Sequence, residues 1–239
     1  MTGEFDGFRA LSFDCYGTLI DWETGITAEL ERWAAAHSVA ATPAELIEDF
    51  GRFETVVETE QPAARYPDVL ATTLDRIAER HDTTATNEER ARFGASVGNW
   101  PAFPDSADAL RRLKERFKLI ILSNVDRDSF AASNTRLGVE FDLILTAEEI
   151  GSYKPDRRNF TALLDALGGL GVTQDELLHV AESLYHDHEP AIALGLPSVW
   201  IHRRHGKEGH GATAPPTGAV NPRWRFPSMT DFADAATGP

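Results

Sequence analysis

Cysteine, methionine and basic side chains are scarce in this chain, and long hydrophobic runs are missing. Its one cysteine, Cys15, cannot form an internal disulfide, which points to a reducing, cytoplasmic setting. Lysine and arginine number 23 against 38 aspartates and glutamates, a formal net charge of −15. Nucleic acid and anionic membrane are polyanions, so a surface of that sign argues against both as partners. An anionic substrate needs basic residues placed locally to offset the field. No apolar run approaches the ~20 residues of a membrane span. Met1 to Phe8, with Glu4 and Asp6, lacks the basic and apolar regions of a signal peptide.

What is present suits an ordinary globular protein: 239 residues, 42% hydrophobic and 26% charged, enough for one large domain or a core with a modest insert. The most informative stretch is Leu11-Ser12-Phe13-Asp14-Cys15-Tyr16-Gly17-Thr18-Leu19. Ala10, Leu11 and Phe13 suit a parallel strand buried on both faces, whereas Asp14 cannot stay ionised inside such a core. The aspartate is therefore expected at the strand's C-terminal end, where open α/β sheets place their ligand crevices. Strand alternation turns Cys15 away from Asp14, which argues against a covalent role for the thiol.

After the Gly-Thr turn, Ile26, Leu30 and Trp33, then Leu46, Phe50, Phe53 and Val57, then Val69, Leu70, Leu74 and Ile77 fall at helical spacing. A further helix is expected from Thr86-Asn87-Glu88-Glu89 to about Val97, with acids in its first turn. Trp100 to Asp105 is a proline-punctuated return. Beyond it helices alternate with short apolar strands that begin near Leu119, Leu143, Leu177 and Ser198. That alternation implies right-handed crossovers and a mainly parallel sheet. The expected fold is α/β, with residues 1–20 and 98–239 forming a Rossmann-like core and residues 21–97 a helical cap. Arg203 to Pro216 has no core-facing period and reads as a solvated loop; the alternative is a flap that brings Arg203, Arg204 or Lys207 to the substrate.

Asp14 and the turn after it resemble the first motif of the haloacid dehalogenase superfamily, whose members use that aspartate as a covalent nucleophile. Phosphatases of the superfamily carry a second aspartate two positions on, where this chain has Tyr16. The Asp-x-Tyr-Gly-Thr variant resembles the type II L-2-haloacid dehalogenases, which attack carbon. Ser123-Asn124, Lys154-Pro155-Asp156 and Glu182 to His188 resemble the second, third and fourth motifs. The resemblance implies catalytic roles for Asp14, Thr18, Ser123, Asn124, Lys154 and Asp187, with Lys154 keeping Asp14 ionised and Asp187 orienting the hydrolytic water. It implies substrate contacts for Cys15, Tyr16, Trp22, Glu182 and His186. A small-molecule carboxylate is the expected partner, and a homodimer is left open.

No metal or other cofactor is expected. The tripeptide His186-Asp187-His188 suggests zinc at first sight, but consecutive residues of a helix point in different directions. Glu182 with Asp14 and Asp187 offers oxygens for magnesium, whereas Tyr16 in place of the second aspartate argues the other way.

The departures from the dehalogenase pattern concern charge. Those enzymes carry a halide-holding arginine in the cap, and here no arginine lies between Arg32 and Arg52. Phe160 replaces a tyrosine, and Glu182 and Leu184 replace a Ser-Asn pair. An acid repels a departing halide and favours a departing ammonium. Together with Asp21 to Gly25, Asn99 to Asp105 and Arg203 to Gly209, these features make the chain similar to the superfamily branch that opens L-azetidine-2-carboxylate. The expected reaction is therefore ring opening of that compound through an ester on Asp14. Removal of halide from 2-haloacids, magnesium-dependent phosphatase action and a non-catalytic binding module are the alternatives.

Overall fold

Residues 3–206 and 211–238 are described by the computed structural model of the chain. The first strand, β1 (Ala10–Phe13), is buried at all four positions, as a strand covered on both faces must be. β2 (Lys118–Ser123) and β4 (Leu177–Ala181) lie parallel on either side of it, β3 (Leu143–Thr146) flanks β2, and β5 (Ser198–Ile201) and β6 (Trp224–Phe226) extend the other edge. The order β3-β2-β1-β4-β5-β6 reverses direction at β1, and the carboxyl ends on either side of such a reversal leave a crevice.

Between β1 and the return at Trp100 the chain makes four α-helices and no strand among the described residues: α1 (Trp22–Ala36), α2 (Pro43–Glu60), α3 (Tyr66–Arg80) and α4 (Asn87–Gly94). Their starts are chemically marked. The Asp21 side chain accepts from Thr24 N, and reciprocal Thr42–Glu45 and Thr86–Glu89 capping boxes open α2 and α4. Trp22 and Phe50 meet edge to face, with ring centroids 6.0 Å apart, and Phe50 meets Phe93 in the same way at 6.1 Å. A helical α5 (Ser106–Lys114) follows the proline-punctuated return, and α6 (Arg127–Leu137) follows β2.

The expected strands are all present, and several elements go beyond the sequence reading, among them a sixth strand and a C-terminal helix. β6 is three residues long, too short to show an alternation, and the helix Met229–Thr237 packs on α5. The expected helix ending near Val97 stops at Gly94 and continues as a 3₁₀ segment, Ala95–Asn99.

Candidate active site

Asp14 is the first residue beyond β1. Its N–H donates to Val180 O on β4 at 3.1 Å, so the sheet itself fixes the backbone that carries the carboxylate. Gly17, at φ +91°, turns the chain back, a conformation that side chains resist. Thr18 then faces Asp14: its Oγ1 donates to Asp14 Oδ2 at 2.6 Å and accepts from Glu182 N at 2.9 Å. One hydroxyl thus links the first and fourth motifs.

Lys154, fully buried, closes the other side. Its Nζ donates to Asp14 Oδ1 at 2.9 Å, to Asp187 Oδ1 at 2.7 Å and to Leu122 O at 2.9 Å. Asn124 holds the lysine's backbone, accepting from Lys154 N at 2.7 Å and donating to Lys154 O at 3.0 Å. Burial pulls the ammonium down, but Asp14 and Asp187 outweigh it and hold Lys154 above its ordinary range. Burial raises the Asp14 carboxyl and Asp187 adds to the rise, while Lys154 and Thr18 oppose both. Burial also acts on Asp187, where Lys154 and a hydrogen bond from His179 prevail and hold it well below the usual carboxylate range.

Above these groups lies a small cavity, walled by Asp14, Tyr16, Trp22, Asn124, Lys154, His186 and Asp187 from the sequence-derived set. Helix α2 adds Glu54 and Glu58, and α3 adds Tyr66. Tyr66 Oη donates to Glu54 Oε1 at 2.6 Å, and Asn124 Nδ2 approaches the Glu58 carboxylate at 3.4 and 3.5 Å. Burial pushes Glu54 up to about 8. Burial and the neighbouring Glu54 push Glu58 well up, against the pull of Lys154. Among the described residues Lys154 is the single cation on the wall, and it already serves two carboxylates.

The remaining sequence-derived residues are placed differently. Cys15 has its side chain buried in the hydrophobic core and is not among the residues that line the cavity; the side chain follows the alternation away from Asp14. Burial raises its thiol well above the ordinary value, so it is no nucleophile. Ser123 is buried at the end of β2 with an Oγ that has no hydrogen-bond partner. Tyr16 lines the cavity with its ring, while its hydroxyl is 2.9 Å from Ser133 Oγ on α6. Glu182 faces an adjoining small cavity with Trp22, Glu23, Arg203 and Arg204. Burial, Glu23 and Asp14 push it up to about 8. His186 Nε2 is buried without a partner, and burial brings this ring down to about 4, so it is neutral.

The loop after β5 is not a solvated excursion in its described part. Arg203 donates to Thr18 O at 3.0 and 2.9 Å and to Asp105 at 2.8 Å. Arg204 pairs with Glu23, and Thr213 lines the cavity. Lys207 lies outside the described residues.

The magnesium alternative does not fit this arrangement. The Lys154 ammonium stands between Asp14 and Asp187, and Glu182 Oε2 faces Thr213 Oγ1 at 3.4 Å. Among the described residues no group of three or more His, Cys, Asp or Glu is placed to hold a metal ion.

Sequence reading missed Glu54, Glu58, Tyr66 and His179. For the glutamates a signal existed: positions 50, 54, 57 and 58 share one helical face, and two of the four are acids.

A crevice at the sheet's reversal, a strand-end aspartate and a buried lysine define an α/β hydrolase site under a helical cover. The sequence profile of the haloacid dehalogenase-like hydrolases matches residues 8–195, and the chain belongs to that family. It is 28% identical over 215 residues to an (S)-2-haloacid dehalogenase of Pseudomonas sp. (strain YL), covering 83% of this chain and 84% of the relative. It is 31% identical to an (S)-2-haloacid dehalogenase of Pseudomonas fluorescens over 123 residues, which span 52% of that relative, about half its length. The fold is shared with an L-2-haloacid dehalogenase of Xanthobacter autotrophicus: TM-score 0.78, 20% identity, 97% of this chain and 99% of the other. No described helix is long and apolar enough to cross a membrane.

Proposed function

We propose that this protein hydrolyses a small L-2-substituted carboxylate by displacement at C2, and that the group displaced is an amine, as in L-azetidine-2-carboxylate. In the first step an Asp14 oxygen bonds to C2, the C2–N bond breaks, and its electron pair stays on nitrogen. In the second, water oriented by Asp187 adds to the Asp14 carboxyl carbon, the bond from that carbon to the oxygen on C2 breaks, one proton of the water passes to the departing oxygen of the 2-hydroxy acid, and the other goes to solvent as Asp14 returns to carboxylate. Strain in a four-membered ring and protonation of its nitrogen both weaken the bond that breaks. Ser123 Oγ, buried and unpartnered, is a donor for the substrate carboxylate.

The observation that carries the amine is the pair Glu54 and Glu58 on the cavity wall. Two raised carboxyls are costly in an empty cavity and become favourable beside an ammonium, which holds them ionised. The amine leaves neutral and takes up from solvent the proton that ester hydrolysis later releases.

Displacement of halide is the second reading, and the relatives favour it, since they are (S)-2-haloacid dehalogenases. Turnover of L-azetidine-2-carboxylate and L-2-chloropropionate by one preparation decides between the two. Chloride release with no ring opening overturns the amine reading. Single turnover in heavy-oxygen water tests the chemistry common to both: label enters Asp14 before it enters bulk product, and label found only in product excludes the ester.

A further inference from the structure

His179 is a buried side chain at the site that this reaction leaves without a role. It sits on β4 directly across from Ser12 on β1 in the parallel register, and it is completely buried. Ser12 Oγ is 2.9 Å from His179 Nδ1, and His179 Nε2 is 3.0 Å from Asp187 Oδ1. Phe160 packs on the ring at 75°, with centroids 5.3 Å apart. Two strands and an aromatic ring therefore fix the imidazole.

We propose that His179 is a positioning residue that fixes the plane of the Asp187 carboxylate, so that the oxygen left free meets the hydrolytic water. Oδ1 of Asp187 is taken twice, by Lys154 Nζ at 2.7 Å and by His179. Oδ2 is buried without a partner, on a residue that lines the cavity beside Asp14. With Asp187 ionised, Nε2 carries the hydrogen and donates, and Nδ1 accepts from the Ser12 hydroxyl. The chain Ser12 to His179 to Asp187 thus locks the carboxylate about its side-chain torsions and leaves Oδ2 as the free acceptor. Lys154 alone does not do this, since a single contact leaves the plane of the carboxylate free to turn. The role belongs to ester hydrolysis, because ester formation uses Asp14 and requires no ordered water.

The proposal rests on the aspartyl-ester reading, and its test separates the two. Wild type, His179→Leu, His179→Gln and Ser12→Ala are compared by rapid quench and intact-protein mass, with L-azetidine-2-carboxylate and L-2-chloropropionate as probes. In His179→Leu, ester hydrolysis slows at least about tenfold, the scale of a slightly misplaced group, so the ester accumulates while its formation is little changed. His179→Gln, which keeps a donor near the Nε2 position, restores most of the rate. Ser12→Ala shows a smaller slowing of the same step and serves if the leucine variant does not fold. Equal slowing of both steps, or no accumulation of ester in a folded variant, overturns the proposal. If wild-type Asp14 takes no label, the ester reading itself fails. The crystal structure of a folded variant then decides the positioning claim: a rotated Asp187 carboxylate supports it, and an unmoved Oδ2 overturns it.

Discussion

Lys154 Nζ stands 2.9 Å from Asp14 Oδ1, a cation and a carboxylate that no solvent separates. Lys154→Ala leaves two buried carboxylates without their counter-charge. A buried pair broken from one side costs about 3–5 kcal/mol, so a clear drop in melting temperature is expected. In the protein that still folds, kcat/KM falls at least ~100-fold, the scale of one lost electrostatic contact in a preorganised site. Unchanged turnover would place the lysine outside the chemistry.

Glu58 tests the leaving group. Hydrogen bonds to charged groups contribute about 1.5–3 kcal/mol, so Glu58→Gln lowers kcat/KM for L-azetidine-2-carboxylate by about tenfold or more. Turnover of L-2-chloropropionate stays level, because without an ammonium beside it Glu58 is held up by burial and Glu54 and is already neutral. Parallel losses on both substrates would assign Glu58 to the fold instead.

Stability follows pH with two limbs of opposite sign. Glu54 and Glu182 rise from 4.5 to about 8 on folding; the folded state then holds more protons, and their stabilisation is lost as pH climbs from about 4.5 to 8. His186 and His188 fall from 6.5 to about 4; the unfolded state holds more protons, and their contribution is lost as pH drops through that window. Between 4.5 and 6.5 the slopes oppose each other. Denaturant melts should show a plateau there, with decline from 6.5 to 8. Glu54→Gln with Glu182→Gln should flatten the alkaline limb, and an unaltered decline would trace it to other groups.

Gly51 on α2 faces the loop after β5. A Cβ there would lie 2.4 Å from Ala212 O, a backbone atom that does not yield easily. Gly51→Ala is expected to cost about 1–3 kcal/mol as an overpacked contact, and calorimetry should register a melting point lower by about 2–4 °C for each kcal/mol. An unchanged midpoint would mean that the loop shifts freely.

The parts of the site that could be read in advance are those carried by strand ends. Asp14 and Asn124 follow apolar runs, and a carboxylate or amide placed there has to emerge at the sheet's carboxyl edge. Lys154 stood out through its Tyr-Lys-Pro-Asp surroundings. Glu54 and Glu58 were passed over because helical periodicity is counted on apolar residues, and an acid on the inner stripe of α2 resembles any other charged helix position. Its burial depends on Tyr66 and Asn124, which come from α3 and the end of β2. Arg203 was weighed as a substrate contact, whereas its guanidinium lies over Phe103 at 4.1 Å and holds the Thr18 carbonyl.

The sequence by itself determined the parallel sheet, the helical insert and the strand-end aspartate, because hydrophobic period and turn residues act over a few neighbours. Only the tertiary structure decided the charge balance around that aspartate. Whether a carboxyl is raised or lowered depends on desolvation and on partners within a few ångströms, and those partners arrive from distant positions: Lys154 and Asp187 beneath Asp14, Glu54 and Glu58 above it, His179 behind.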